Sequence, residues 1–163
     1  MVKREIRIKQ QKRTRTVPAQ LEEITFPAVQ WVLKDWGAWT RSLPIMRDPE
    51  CALNQTYLPE EWYITDDQAF MIEQELKKLE RKNSFIAKCL TSYYLVRNAT
   101  VADVTSLTGI SQTKIRSSLR VGEAWIHCAA HSWVEPLYKD YLDWEKEKAR
   151  RKKIIDALRA QEV

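Results

Sequence analysis

Glycine and proline are scarce in this chain, with three glycines and six prolines in 163 residues. A loop-rich design needs more of both at its turns, so the composition favours continuous helices. Cysteine is sparse as well, at Cys51, Cys89 and Cys128, far apart and odd in number. That argues against a disulfide framework or a CxxC zinc knuckle and fits thiols kept reduced in cytosol. No apolar run approaches a membrane span, and the N-terminus lacks the apolar segment of a secretory signal. There is no Gly-rich phosphate cradle, no nucleophile with a base and an orienting partner, and no multi-carboxylate metal set. His127 and Cys128 are neighbours in sequence, but adjacency alone makes no catalytic pair. The expectation is a protein without an enzymatic reaction, metal or cofactor of its own.

Apolar and charged residues are plentiful and kept apart. A hydrophobic fraction of 44%, with seven tryptophans, is enough for a packed core. The length suits one compact domain or a small domain with helical extensions. The formal charge of +5 is unevenly spread. Residues 1–17 hold seven basic groups against one acidic, and 18–83 hold seven against twelve. Residues 84–134 hold five against two, and 135–163 eight against seven. Such a distribution can meet a polyanion at two places and present another surface to protein. The N-terminal arm carries Lys3, Arg4, Arg7, Lys9, Lys12, Arg13 and Arg15 before Pro18, with few large apolar groups to fold it. It is either a solubilising terminus or a flexible segment that follows a nucleic-acid backbone regardless of base sequence.

Periodicity divides much of the remainder into helices. From Pro27 to Arg41, Val29, Val32, Leu33, Trp36, Ala38 and Trp39 make a broad apolar side, Trp31 adds a second aromatic face, and Lys34 and Asp35 fall outside. Gly37 costs helix propensity there, and close approach of another helix or backbone would explain it. Residues 42–64 are irregular, punctuated by Pro44, Pro49 and Pro59, and read as a connector or an exposed interaction element. Thr65 and Gln68 then form a capping box ahead of Ala69, Ile72, Leu76 and Leu79. Asp66 and Asp67 suit the positive end of that helix better than a metal site. After a turn at Asn83-Ser84, Phe85, Ile86, Cys89, Leu90 and Tyr93 or Tyr94 mark a supporting helix ending near Arg97.

Residues 98–125 have the form of a helix-turn-helix. Thr100 can cap a short helix, with Asp103 standing in for the usual glutamate of a capping box. Val101, Val104 and Leu107 form its expected buried stripe, Gly109 ends it, and Ile110 fills the angle before the next helix. Ser111 caps that second helix, with Ile115, Leu119 and Gly122 on its inner side. Gln112, Thr113, Lys114, Arg116, Ser117 and Arg120 are left outward. Short polar groups and bases on one face suit a helix that enters the major groove, where hydroxyls and amides read base edges and cations hold phosphates. Such a helix docks by its N-terminal end. Two short helices around a glycine also occur in helical proteins that bind no DNA.

With the supporting helix, residues 84–134 make a trihelical unit. The 127/131 spacing puts His127 and His131 on one helix face, which fits ordinary packing better than zinc. Pro136 opens a new segment, with Leu137, Tyr141, Trp144 and the stem of Lys148 along one side. A charged stretch from Lys146 to Lys153 follows, including Arg150, Arg151 and Lys152, and then Ile154, Ile155 and Leu158. This tail could pack on the body, pair with another copy or extend along nucleic acid. The expected architecture is all-α: a flexible basic arm over 1–17, a helical body over 18–134 with the helix-turn-helix at 100–125, and a charged C-terminal helix over 135–163.

Three features in order carry a resemblance to the lambdoid phage antitermination protein Q family. They are Trp36-Gly37-Ala38-Trp39-Thr40-Arg41-Ser42, the stretch from Tyr63 to Ala69, and the helix-turn-helix, and the similarity spans residues 28–130. The chain is most similar to the compact branch, which lacks the cysteine-rich zinc insertion. The resemblance implies a non-enzymatic transcription factor in the cytoplasm of a bacterial host. Such proteins bind a DNA element at a phage late promoter and load onto a sigma-containing RNA polymerase paused just downstream. They then travel with the polymerase and suppress pausing and termination. In the related branch Q forms a ring-like nozzle at the RNA exit channel, narrowing the path so that a terminator hairpin cannot form. The helix-turn-helix resembles the promoter-reading domain of sigma, and two copies can take part in loading.

Carried onto this chain, Gln112, Thr113, Lys114, Arg116, Ser117 and Arg120 would read or anchor promoter DNA. Trp36, Gly37 and Trp39 would form the fold or a protein-facing support. From charge alone, the arm and the Arg150, Arg151, Lys152 and Lys153 cluster could touch DNA or nascent RNA. The chain departs from the compact branch in its basic beginning, its 43–62 insertion and its long C-terminal helix. Competing readings are a promoter-bound activator or repressor with the same helix-turn-helix, a sigma-like polymerase-binding protein, and a structural helical protein.

Overall fold

The computed structural model describes residues 25–47 and 61–162, with the backbone alone over 44–47. The basic arm with Lys3, Arg4, Arg7, Lys9, Lys12, Arg13 and Arg15, and Pro49 and Pro59 of the stretch expected to be irregular, lie outside the described residues. The described chain is all-α, with five helices: α1 (Pro27–Arg47), α2 (Asp66–Lys82), α3 (Ser84–Leu95), α4 (Val101–Thr108) and α5 (Gln112–Gln161). Among the described residues no helix is long and apolar enough to cross a membrane.

Pro27 occupies the first position of α1, where its missing N–H costs nothing. The helix continues to Arg47, past Arg41 and into the region expected to be irregular. Val29, Val32, Leu33, Trp36 and Trp39 are buried along it, and Trp39 is among the largest fully buried side chains. Asp35 is half-buried rather than outside. Its carboxylate accepts the backbone N–H groups of Tyr63 at 2.6 Å and Ile64 at 2.7 Å, fastening the extended segment before α2 against α1.

Helix α2 starts at the predicted box: the Gln68 amide donates to Thr65 Oγ1 at 3.3 Å while the Thr65 amide donates to Gln68 Oε1 at 3.0 Å. Ala69, Ile72, Leu76 and Leu79 are its buried residues, as their three- and four-residue spacing requires. Asn83 then serves two helices at once. Its N–H donates to the Leu79 carbonyl at the end of α2, and its side chain accepts the Ile86 N–H at the start of α3. A single extended residue thus ends one helix and starts the next.

Helix α4 has both halves of its capping box, with the Thr100 amide donating to Asp103 Oδ2 at 2.8 Å. It ends at Gly109 with φ 72, the left-handed conformation that glycine adopts without steric cost. Leu107, however, is 69% exposed. Three-residue steps fall about 60° short of a full turn each time, so the inward stripe passes from Val101 through Val104 to Thr108 and leaves Leu107 outside. Val104 is the fully buried residue of this eight-residue helix, and Ile110, partly buried, packs against the core.

Helix α5 is the spine. Its 50 residues extend about 75 Å at the α-helical rise, and its sides contact all four other helices. Ile115, Leu119, Gly122, Ile126, Ala130 and Val134 are buried in sequence along one stripe. Pro136 lies inside this helix and does not begin a new one. Val134 before it is buried, and Leu137 and Tyr138 after it pack on the core, so tertiary contact on both sides holds the axis across the missing hydrogen bond. Trp31 of α1 receives this second half: it stacks on Tyr141 at 4.9 Å and meets Tyr138 at 5.6 Å and Tyr63 at 5.9 Å. Beyond Tyr141 the helix is mostly exposed, including Leu142, Trp144, Ile154, Ile155 and Leu158.

Candidate nucleic-acid interface

The start of α5 is held from three sides. Ser111 caps it by accepting the Lys114 N–H at 3.4 Å, α4 lies against it, and α3 packs behind it. Ile115, Ser118, Leu119 and Gly122 face inward. At Gly122 an added Cβ would come within 3.2 Å of the Leu90 methyls, so the absence of a side chain lets α3 approach α5 closely. The inward residues determine which ones point away. Gln112, Thr113, Lys114, Arg116, Ser117 and Arg120 are all exposed, the last five on one continuous face and Gln112 at the start of the helix.

Successive helical residues turn by about 100°, which sorts that face into a ridge and two flanks. Thr113 and Ser117 form the ridge farthest from the buried stripe. Arg116 and Arg120 take the flank towards α1 and α3, where they line a cleft with Gln30, Lys34 and Tyr93. Lys114 takes the other flank, its ammonium 4.7 Å from the centre of the Phe85 ring. Arg116 Nη2 donates to Gln112 Oε1 at 3.2 Å, pairing the amide with the guanidinium one turn along. Ser117 Oγ donates to the Lys114 carbonyl at 3.1 Å, leaving its oxygen lone pairs to accept. Exposed Val121 extends the outward arc. It escaped the reading of sequence because a lone valine carries no polar signal, although its position four residues after Ser117 places it there.

Beneath the face lies a polar tie not evident from the sequence. Glu123 is 5% exposed, and its two carboxylate oxygens accept from the Tyr94 hydroxyl at 2.6 Å and from Gln30 Nε2 at 3.2 Å. One side chain on α5 thus joins α3 and α1. Burial, followed by the adjacent Glu123 charge, pushes the Tyr94 phenol far above its ordinary value, so Tyr94 stays a donor. Burial likewise raises the Cys89 thiol, partly opposed by Lys114 and by a hydrogen bond with Ser118.

The tryptophan-glycine segment lies in the supporting layer. Trp36, Gly37 and Trp39 are buried. Trp39 Nε1 donates to Asp66 Oδ1 at 2.8 Å, so Asp66 ties the start of α2 to α1 as well as lying in the first helical turn. Gly37 faces the end of α3, where any Cβ would collide with the Tyr94 carbonyl oxygen. Arg41 Nη1 donates to the carbonyls of Tyr94 at 3.1 Å and Leu95 at 3.0 Å, closing that helix end.

The tail cations lie far along α5 and are exposed. Arg150 makes two contacts of 3.0 Å with Glu147, and Arg151 donates to the same carboxylate at 3.1 Å. Lys152 and Lys153 have no carboxylate within ion-pair distance among the described residues. His127 and His131 have ring centres 5.3 Å apart, with Phe26 4.8 Å from His127. Among the described residues no group of three or more metal-ligating side chains converges there or elsewhere. No protein-family model matches the chain, and neither a curated protein nor a solved structure shows significant similarity to it.

Proposed function

We propose that this protein is a transcription factor that reads duplex DNA with the first turns of α5, in a helix-turn-helix of the sigma promoter-reading kind formed by α3, α4 and α5. The observation that carries the reading is the ordered outward face. A ridge of short hydroxyl side chains, Thr113 and Ser117, stands between Arg116 and Arg120 on one flank and Lys114 on the other. A helix in the major groove needs base-reading groups on its leading edge and phosphate-binding cations on both sides. Gln112, at the N-terminal end of α5, can read an adenine edge, and Val121 can contact a thymine methyl.

The resemblance to the Q family extends this to antitermination at phage late promoters. In this account the protein binds a promoter element, loads onto sigma-containing RNA polymerase and leaves with it. Mechanical obstruction at the RNA exit channel then blocks pausing and terminator hairpins, with no chemistry by the polypeptide. The exposed apolar residues Leu142, Trp144, Ile154, Ile155 and Leu158 support a protein-facing role for the outer part of α5. That role suits polymerase or a second copy, while Lys152 and Lys153 suit nascent RNA.

Single-round transcription with a bacterial polymerase holoenzyme tests the extension. The template carries the duplex element selected by the protein next to a promoter, and an intrinsic terminator downstream. Readthrough that depends on the element and persists after promoter escape supports antitermination. More initiation with unchanged termination makes the protein a promoter-bound activator, and repression makes it a repressor.

A further inference from the structure

We infer that the DNA interface extends beyond α5 into the cleft between α1 and α3, where Lys34 binds one strand's phosphates together with Arg116 and Arg120. The inference rests on the duplex-reading account of α5 and assigns a binding role to a helix outside the helix-turn-helix. Lys34, Arg116 and Arg120 line one cleft with Gln30 and Tyr93. Lys34 and Tyr93 also line its neighbour, together with Arg97 from the loop after α3. The clefts meet at Lys34 and Tyr93 and form a track whose cations Lys34, Arg116 and Arg120 come from α1 and α5.

Among the described residues Glu123 is the carboxylate lining this track, and it is covered and already engaged by Tyr94 and Gln30. Lys34 is exposed and has no carboxylate partner among the described residues. Three cations, Lys34, Arg116 and Arg120, around a covered carboxylate attract a polyanion rather than an apolar or cationic ligand. The position of the track selects duplex DNA. Arg116 and Arg120 point into it from the flank of the helix whose ridge enters the groove, where a groove-bound helix meets the backbone of one strand. Lys114, on the opposite flank, then serves the other strand.

The test is the salt dependence of binding to a 30-base-pair duplex of mixed sequence, measured by fluorescence anisotropy with the full chain. Each phosphate neutralised contributes about 0.9 to the slope of log affinity against log salt. Lys34→Gln is expected to make the slope shallower by about 0.9, Lys34→Arg to keep it, and Lys82→Gln, at the end of α2, to leave it unchanged. Because Lys34 is exposed, the variants should share the wild-type thermal midpoint, and that is measured alongside. Wild-type binding with the same slope in Lys34→Gln would overturn the track while sparing duplex recognition by α5. No duplex binding by the wild type would overturn both. Lys34-dependent binding to a single-stranded RNA 30-mer in place of the duplex would reassign the track to RNA and also overturn the inference.

Discussion

At Gly37 and Gly109 the absence of a side chain solves two different problems. The first lies where the end of α3 presses on α1, with the Tyr94 carbonyl in the space of a Cβ; the second stands in open space at φ +72. Gly37→Ala is expected to cost about 1–3 kcal/mol, because backbone must shift to admit a methyl into packed structure. Gly109→Ala is expected to cost about 1–2 kcal/mol through conformation alone, and Gly109→Asn less, since asparagine tolerates the left-handed region. Urea denaturation checks all three. If Asn and Ala are equally costly at 109, conformation is not the cause there. The Glu123–Tyr94 tie makes a separate residue-scale prediction. A double-mutant cycle of Tyr94→Phe with Glu123→Ala should give a coupling of about 1.5–3 kcal/mol, the range for a hydrogen bond to a charged group. A coupling near zero would mean that the pair is incidental to joining α3 and α5.

Helix α4 is too short to persist by itself, so its caps and one buried valine hold it in place. Asp103 is held below its ordinary value of 3.8 first by the Thr100 backbone N–H and then by the Thr100 side chain. A lowered carboxylate contributes stability above 3.8 that disappears as the pH falls through the lowered value. Amide exchange and carboxyl shifts followed by NMR should therefore show Asp103 titrating below 3.8, with the Thr100 amide losing protection in the same range. Titration at or above 3.8 would contradict the box. In α5, Pro136→Ala restores a backbone donor on an exposed face and should stabilise by up to about 3 kcal/mol, read as a higher thermal midpoint.

These elements also separate what local sequence can reveal from what it cannot. Thr65 with Gln68, and Thr100 with Asp103, were legible because the two residues of each box lie three apart. The buried stripe of α5 and the outward placement of Thr113, Lys114, Arg116, Ser117 and Arg120 were legible through helical period, whereas Gln112 is exposed by its place at the helix start. Leu107 was misplaced by counting in threes on a helix of 3.6 residues per turn. Pro136 misled because its local cost is outweighed by packing from Val134, Leu137 and Tyr138, which are far from their contacts in sequence. The partners of Asp35, Asp66 and Glu123 lie 27 to 93 residues away, so periodicity could at most place Glu123 on an inner stripe.

For the whole molecule, one long helix connects two surfaces. Its first turns present polar and basic groups next to a cation-lined cleft, and its last turns carry exposed apolar residues among charges. The DNA-reading account gives each part of the first surface a different consequence. Replacing ridge residues should reduce base preference at the positions they contact, and replacing flank cations should weaken binding to all sequences alike. The most direct test is selection of bound duplexes from a randomised library, using the wild type and a Thr113→Ala/Ser117→Ala variant. The account predicts a defined element for the wild type and, for the variant, residual duplex binding with that preference reduced at the contacted positions. A wild type that enriches no element, or a variant that selects the same element with the same discrimination, would contradict it.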